Sequence, residues 1–379
     1  MSPYRMADIY SGFAVKQYIK GVQASMVRQT LINSSQEPLD FLNLISPAAE
    51  EFIEELAFKS QSLTVRQFGR TIKLYAPLYI SNYCTNHCIY CGFNVKNRIV
   101  RKKLSLAEIK IEAEKIFNSG IRDIVILTGE SGLDEEFNLI KESIEICRKY
   151  FDRISLEVFP MSEDQYRILF DAGADGVTVY QETYDRDVYR KVHPAGLKSN
   201  FEWRLETVDR AALAGARHIG IGALLGLSDP YYDLLQLVLH AGYILRRYPS
   251  IELSLSLPRI HSEIDKKSVV QADTNDTGYK PEWTVSDHLF VQAVCAMRVV
   301  LPTVGITLST RESCEFRNGV IPLGVTRCSA GSRTEVGGYS QPDADNEQFK
   351  ISDRRGIDLM AEHIKSIGYD PVFLDRERF

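Results

Sequence analysis

The chain has 379 residues and a net charge of −5, from 45 Lys and Arg against 50 Asp and Glu. Its 44% hydrophobic and 25% charged residues are those of a folded globular protein with room for one large domain or several small ones, which excludes disorder for most of it. The slight acidity offers no general attraction to nucleic acid or anionic lipid, and the longest apolar run, Ile219 to Leu227, is about half of the ~18 residues a membrane span takes. With no apolar signal core in residues 1–15, the expected location is the cytoplasm.

Helical periodicity fills residues 1–70, most clearly from Pro47 to Lys59. Beyond it, β-branched or alternating apolar runs predict strands at about 71–81, 121–129, 153–159, 176–182, 218–225, 251–258, 304–310 and 324–329. Helical segments fall between them near 105–119, 134–150, 162–172, 203–215, 231–248 and 284–300, with a shorter one near 313–319 and a last one near 354–367. Ser105-Leu-Ala-Glu108 and Ser162-Glu-Asp-Gln165 read as capping boxes, and Gly120, Gly173 and Gly215 as helix stops. Eight strand–helix units predict an α/β fold, a (β/α)8 TIM-type barrel over 71–336, with a helical N-terminal extension over 1–70 and a C-terminal cover over 337–379. The polar stretch Ser262 to Lys280 is expected to be the most mobile loop.

An odd count of seven cysteines in a chain without an export signal argues against a disulfide framework. Cys147, Cys295, Cys314 and Cys328 stand singly among apolar or mixed neighbours, the pattern of buried, inert thiols. Cys84, Cys88 and Cys91 instead form C-x3-C-x2-C just after the first strand, so three thiolates can converge in one short loop. A closed zinc site wants a fourth ligand, and His87 is poorly spaced for paired zinc knuckles. Three thiolates on a four-iron cluster leave one iron open to a cofactor or substrate. With Tyr90 directly before the third cysteine and Gly92 after it, the segment resembles the radical S-adenosylmethionine superfamily.

In such a barrel the reacting groups sit on loops after the strands. Glu130, after strand two, suits an ammonium group or a helix N-terminus. Glu157, ending strand three among apolar residues, needs a polar ligand or a basic partner. Glu182, ending strand four, suits a ribose diol or a surface turn. Glycines of strand five, Gly220, Gly222 and Gly226, let a ligand approach the backbone. Arg259 after strand six and Arg311 after strand seven can each fork a carboxylate, of a ligand or of a neighbouring side chain.

Thr128-Gly-Glu130, Glu157-Val-Phe-Pro160, Tyr180-Gln-Glu-Thr-Tyr184, Trp203-Arg-Leu-Glu-Thr207, Gly222 to Asp229, Ser309-Thr-Arg-Glu-Ser313 and Gly337-Gly-Tyr339, with the cysteine loop, resemble the tyrosine lyases of thiamine thiazole biosynthesis, the 2-iminoacetate synthase family. The resemblance spans roughly residues 40–370. It implies a 4Fe-4S cluster on Cys84, Cys88 and Cys91, whose fourth iron is chelated by S-adenosyl-L-methionine. By position, Glu130 would hold the methionine amino group, Glu182 the ribose, Arg204 the methionine carboxylate, and the backbone around Leu225 the adenine, with Tyr90, Phe93 and Glu157 also on the cofactor side. Ser309 and Arg311 would take the carboxylate of L-tyrosine. A 5′-deoxyadenosyl radical would then abstract hydrogen from the tyrosine amino group, and Cα–Cβ cleavage would give 2-iminoacetate and p-cresol. After Pro258-Arg259 the chain continues Ile260-His-Ser-Glu-Ile264, a departure from the family's further basic and proline residues, so His261 receives no role.

The implied partners are reduced flavodoxin or ferredoxin as electron donor and the thiazole synthase subunit as acceptor of the imine, with no nucleic acid and no membrane. Related enzymes remain alternatives: the hydrogenase-maturation tyrosine lyases, set apart by a cysteine-bearing tail where this chain has no cysteine after Cys328, those acting on tryptophan, and those joining tyrosine to a deazaflavin. A non-enzymatic iron–sulfur carrier is the alternative of another class, and it needs none of the carboxylates and arginines at the strand ends.

Overall fold

The computed structural model describes residues 13–33, 37–260, 282–342 and 347–373; the Ser262 to Lys280 stretch and His261 lie outside the described residues. Eight strands, β1 (Thr71–Ser81), β2 (Asp123–Thr128), β3 (Arg153–Glu157), β4 (Gly176–Glu182), β5 (His218–Ala223), β6 (Glu252–Ser256), β7 (Gly305–Leu308) and β8 (Arg327–Ser329), pair in parallel in chain order. The register Lys73↔Arg327 to Tyr75↔Ser329 returns β8 to β1 and closes the barrel. β2 and β5 are buried along their whole length, as strands covered on both faces must be. A further strand, β9 (Asp370–Val372), pairs with Thr71 to Lys73 on the other edge of β1.

Among the described residues four helices precede the barrel: α1 (Val15–Gly21), α2 (Ala24–Asn33), α3 (Pro38–Leu44) and α4 (Ile53–Phe68). The strands alternate with α5 (Leu106–Asn118), α6 (Asp134–Cys147), α7 (Glu163–Asp171), α8 (Arg186–Val192), α9 (Phe201–Leu205), α10 (Thr207–Leu213), α11 (Pro230–Arg247), α12 (Asp287–Val300) and α13 (Cys314–Gly324). The last helix, α14 (Ile357–Ser366), leads into β9. α4 packs on α12 and α13, and a single apolar core extends from Val15 to Tyr369. No helix among the described residues is long and apolar enough to cross a membrane.

Both capping boxes form: Ser105 and Ser162 each accept a backbone N–H three residues on, while Glu108 and Gln165 reach back to the cap. Gly120, Gly173 and Gly215 all take positive φ at helix ends. The structure differs where local pattern is short. Residues 47–52 open as a 3-10 turn before α4, and the 203–215 helix is broken at Glu206 into α9 and α10. α13 runs on to Gly324, five residues past the predicted end, and carries Pro322 in its last turn. α8 is unforeseen: its seven residues are too few for a periodic signal, and it depends on the Asp185 carboxylate accepting from Asp187 and Val188 N–H.

Candidate active site

β1 delivers the chain into the cysteine loop at the carboxyl ends of the strands. Loop carbonyls there need donors, and a guanidinium and three amides supply them. Arg101 donates to the carbonyls of Asn82 (2.7 Å), Phe93 (3.0 Å) and Asn94 (2.6 Å). Asn94 donates to Cys88 O (3.0 Å), Asn97 to Cys91 O (3.1 Å) and Gly92 O (2.9 Å), and Asn82 to Val100 O (2.9 Å). The loop lies against the end of β2 so closely that a Cβ on Gly129 would come within 2.2 Å of Tyr83 O. Its other side pairs with the segment after α8: His87 N–H donates to Ala195 O (3.0 Å), Ile89 N–H to Val192 O (3.1 Å), and Lys198 N–H to the Asn86 side chain (2.8 Å). Gly196, at φ 96°, permits this approach, since a Cβ there would stand 2.6 Å from Asn86 Cα.

The loop's three cysteines are free of disulfides and lie near enough for each thiol to feel the others. Burial, and then the proximity of the others, pushes the Cys88 thiol well up and Cys91 to about 11; metal binding reverses this by expelling the protons. Asn86 N–H already donates to Cys84 Sγ (3.4 Å), the kind of contact that tunes a cluster sulfur. Among the described residues no three His, Cys, Asp or Glu side chains are gathered tightly enough for a single metal ion. Three thiols near enough to act on one another electrostatically, with Lys198 close by, instead suit a cluster that takes one thiolate per iron. The other four cysteines are scattered; Cys147, Cys295 and Cys328 are buried, with burial pushing the first two to about 12, whereas Cys314, the first residue of α13, is only half-buried and departs from the expected buried thiol.

Two buried ion pairs stand beside these thiols. Glu130, just past β2, accepts from Arg204 Nη1 (2.8 Å) and from Asn86 Nδ2 (2.8 Å), while Arg204 Nε donates to Tyr180 O (2.6 Å). Desolvation acts to raise the Glu130 carboxyl, but Arg204 and Lys198 with these hydrogen bonds hold it below its usual value. Glu182 ends β4 at φ 71°, alone among the described non-glycine residues in that region, and pairs with Lys198 (2.5 Å). Burial works against the charge on Lys198, yet Glu182, Cys88 and Glu130 keep it above its usual value. Glu157, at the end of β3, makes no hydrogen bond or ion pair among the described residues, and burial followed by the Glu182 charge raises it to about 7.

Of the aromatic residues of the loop, Phe93 is buried and Tyr90 half-buried. Tyr90 O–H donates to His193 Nε2 (2.8 Å), whose Nδ1–H is fixed by donation to Tyr189 O (3.0 Å). Phe93 meets Tyr79 edge-on at 6.0 Å. Tyr90, Ile89 and Val188 pack with Leu224, Leu227 and Val192 into a small apolar cluster apart from the main core. Leu225 itself spends both backbone groups on strand six, its N–H on Pro258 O (2.8 Å) and its C=O on Ile260 N–H (3.0 Å).

Ser309 and Arg311 follow β7, half-buried, with Arg311 N–H on Ser309 Oγ (3.4 Å) and its guanidinium 4.0 Å from the centre of the Phe349 ring. Gln348, next to Phe349, accepts from Tyr79 O–H (2.6 Å), so a C-terminal segment crosses the same strand ends. The arginine of strand six is different. Arg259 forks Glu312 of its own chain, Nε to Oε1 (3.0 Å) and Nη2 to Oε2 (2.6 Å), between the rings of Phe290 and Phe316. Its carboxylate is that of a neighbour and not of a ligand.

Sequence reasoning missed Lys198, Asn86, Arg101 and Gln348. A sole lysine in the loop after α8, and an asparagine between two cysteines, were signals within reach; Gln348, far along the chain, gave none.

Residues 78–238 match the Radical SAM superfamily, and residues 256–370 the Biotin and Thiamin Synthesis associated domain. The 2-iminoacetate synthases of Salmonella typhimurium and Escherichia coli are each 36% identical, over 95% and 96% of this chain and 93% and 94% of theirs. Among solved structures, the FeFe-hydrogenase maturase HydG from Carboxydothermus hydrogenoformans superposes with a TM-score of 0.88 at 30% identity, covering 99% of this chain and 86% of that one. Methylornithine synthase, TM-score 0.72 at 20% identity over 92% of this chain and 97% of its own, shares the fold. The protein is a radical enzyme whose cofactors are a 4Fe-4S cluster and S-adenosyl-L-methionine, and the chain belongs to the 2-iminoacetate synthase family of radical S-adenosylmethionine lyases.

Proposed function

We propose that this chain cleaves the Cα–Cβ bond of L-tyrosine to 2-iminoacetate and p-cresol, with S-adenosylmethionine converted to methionine and 5′-deoxyadenosine, and that the imine serves the thiazole of thiamine. The observation that carries this reading is Asn86, which joins the cysteine loop to the buried Glu130–Arg204 pair and to Lys198. An amino acid's ammonium and carboxylate match such a pair of opposite charges placed beside a cluster site.

Cys84, Cys88 and Cys91 hold the cluster, Glu130 binds the methionine ammonium of the cofactor, and Arg204 binds its carboxylate. Glu182, oriented by Lys198, accepts from the ribose hydroxyls. Tyr90, Phe93 and the apolar side chains around Leu225 flank the adenine, since the backbone groups of Leu225 are engaged by strand six. Arg311, laid on Phe349, forks the tyrosine carboxylate with Ser309 beside it. Glu157, poised near neutrality, offers either a hydroxyl or a carboxylate to the ligand facing it. When bound, the cluster and S-adenosylmethionine supply a carbon radical that takes hydrogen from the tyrosine amino group, and the protein's part is to orient both ligands and exclude water. Reduced flavodoxin or ferredoxin is the electron donor, and the thiazole synthase subunit receives the imine.

Anaerobic incubation of reconstituted protein with S-adenosylmethionine, reductant and each aromatic amino acid in turn tests the reading. Tyrosine alone is expected to be cleaved, to p-cresol and to glyoxylate from the hydrolysed imine. 3-Methylindole from tryptophan contradicts it.

A further inference from the structure

Charge is distributed unevenly along this chain. From Glu55 to Glu108 there is no Asp or Glu between those two residues, while nine Lys and Arg occur, although the whole chain carries −5. Five of the nine are Lys96, Arg98, Arg101, Lys102 and Lys103, directly after the third cysteine. Arg101 is turned inward onto the loop carbonyls, but Val95, Lys96, Arg98, Val100 and Lys103 are exposed, Val100 at 69%.

This basic face is the outer side of the wall whose inner side carries the thiols. Val95 N–H donates to Asn86 O (3.0 Å), and the Asn97 amide donates to the carbonyls of Cys91 and Gly92. Lys103 pairs with exposed Glu135 (3.5 Å) at one edge of the face. Two exposed valines among cations make an apolar contact inside a charged rim, the composition of a transient protein interface. A second copy of this chain meeting it through the same face would set positive against positive.

We propose that the face formed by Val95, Lys96, Arg98, Val100 and Lys103 is the docking surface for a small acidic one-electron carrier protein. On docking, the carrier is oxidised by one electron and the cluster behind the face is reduced by one, with no bond made or broken between the two proteins. The proposal rests on the radical reaction above, which needs an electron from outside the chain. Charge complementarity at this face acts on the encounter rate and on its salt dependence.

The test compares 5′-deoxyadenosine formation by the tyrosine-loaded holoenzyme driven by reduced flavodoxin, an acidic carrier, and by dithionite, a small reductant. The variants are Lys96→Glu with Lys103→Glu, and Lys365→Glu on α14 as a control near the amino ends of the strands. The paired reversal is expected to lower the flavodoxin-driven kcat/KM about tenfold and to abolish the wild-type decline with salt. Iron content and the dithionite-driven rate stay unchanged, and the control behaves as wild type. An unchanged flavodoxin-driven rate, or an equal loss with dithionite or in the control, overturns the docking surface. A wild-type holoenzyme that makes no 5′-deoxyadenosine even with dithionite overturns the reaction and the docking with it.

Discussion

Asn86 stands between two of the three clustered cysteines and serves four partners, Cys84 Sγ, Glu130 and the backbone N–H groups of Val95 and Lys198. The cysteines around it were legible because their spacing is local and their chemistry specific. Lys198 was not, since its importance comes from a contact made 112 residues from Asn86. Arg259 was read as a candidate for a ligand's carboxylate; no local pattern distinguishes that from the buried Glu312 fork it makes. Replacing Cys88→Ala should abolish cluster content and S-adenosylmethionine cleavage, whereas Cys147→Ala, Cys295→Ala and Cys314→Ala combined should leave iron content unchanged, as measured by iron and sulfide analysis. Iron loss in the triple variant would place the cluster elsewhere.

Glu157 gives a pH dependence of stability whose sign is fixed by its environment. Its folded value near 7 lies above the ~4.3 of an unfolded chain, so between the two values the native state holds a proton that the unfolded state has released. Stability therefore falls as pH rises through that window, and the loss is complete above about 7. Glu157→Gln removes it: the cluster-free variant should exceed wild type by about 2 kcal/mol at pH 8 and match it near pH 5, by thermal unfolding. A gain equal at both pH values would show that packing, and not charge, is responsible.

The C-terminal segment is the element that completes the site. Asp353 accepts from Arg317 (2.5 Å) and Arg355 (2.7 Å), and the N–H groups of Ser352 and Asp353 donate to Thr310 O, anchoring the chain that carries Gln348 and Phe349 to β8 and the β7 loop. Asp353→Ala leaves a fully buried guanidinium unpaired, at a cost of about 3–5 kcal/mol, and frees the segment. A lower Tm is expected, together with a raised KM for tyrosine and unchanged iron content at temperatures where the variant is folded. An unchanged KM would show that the segment takes no part in holding substrate. Such elements divide by the range of their causes: the capping boxes at Ser105 and Ser162 are four-residue patterns that any context preserves, while β9 exists only because the open edge of β1 at Thr71 to Lys73 offers it partners.

At the scale of the whole molecule, strand–helix alternation carried the barrel, because a parallel sheet buried on both faces leaves long apolar runs that the sequence displays. What alternation leaves open is which strand-end groups meet. Closing the barrel brings the cysteine loop beside Glu130 after β2 and Glu182 of β4, and sets Arg204 of α9 on Glu130. The account requires these groups to act in one reaction on one substrate. The measurement that tests this most directly is an anaerobic single turnover with tyrosine in which 5′-deoxyadenosine, p-cresol and glyoxylate are quantified together. Equal amounts of all three are predicted; 5′-deoxyadenosine without p-cresol, or carbon monoxide and cyanide in place of glyoxylate, would contradict the account.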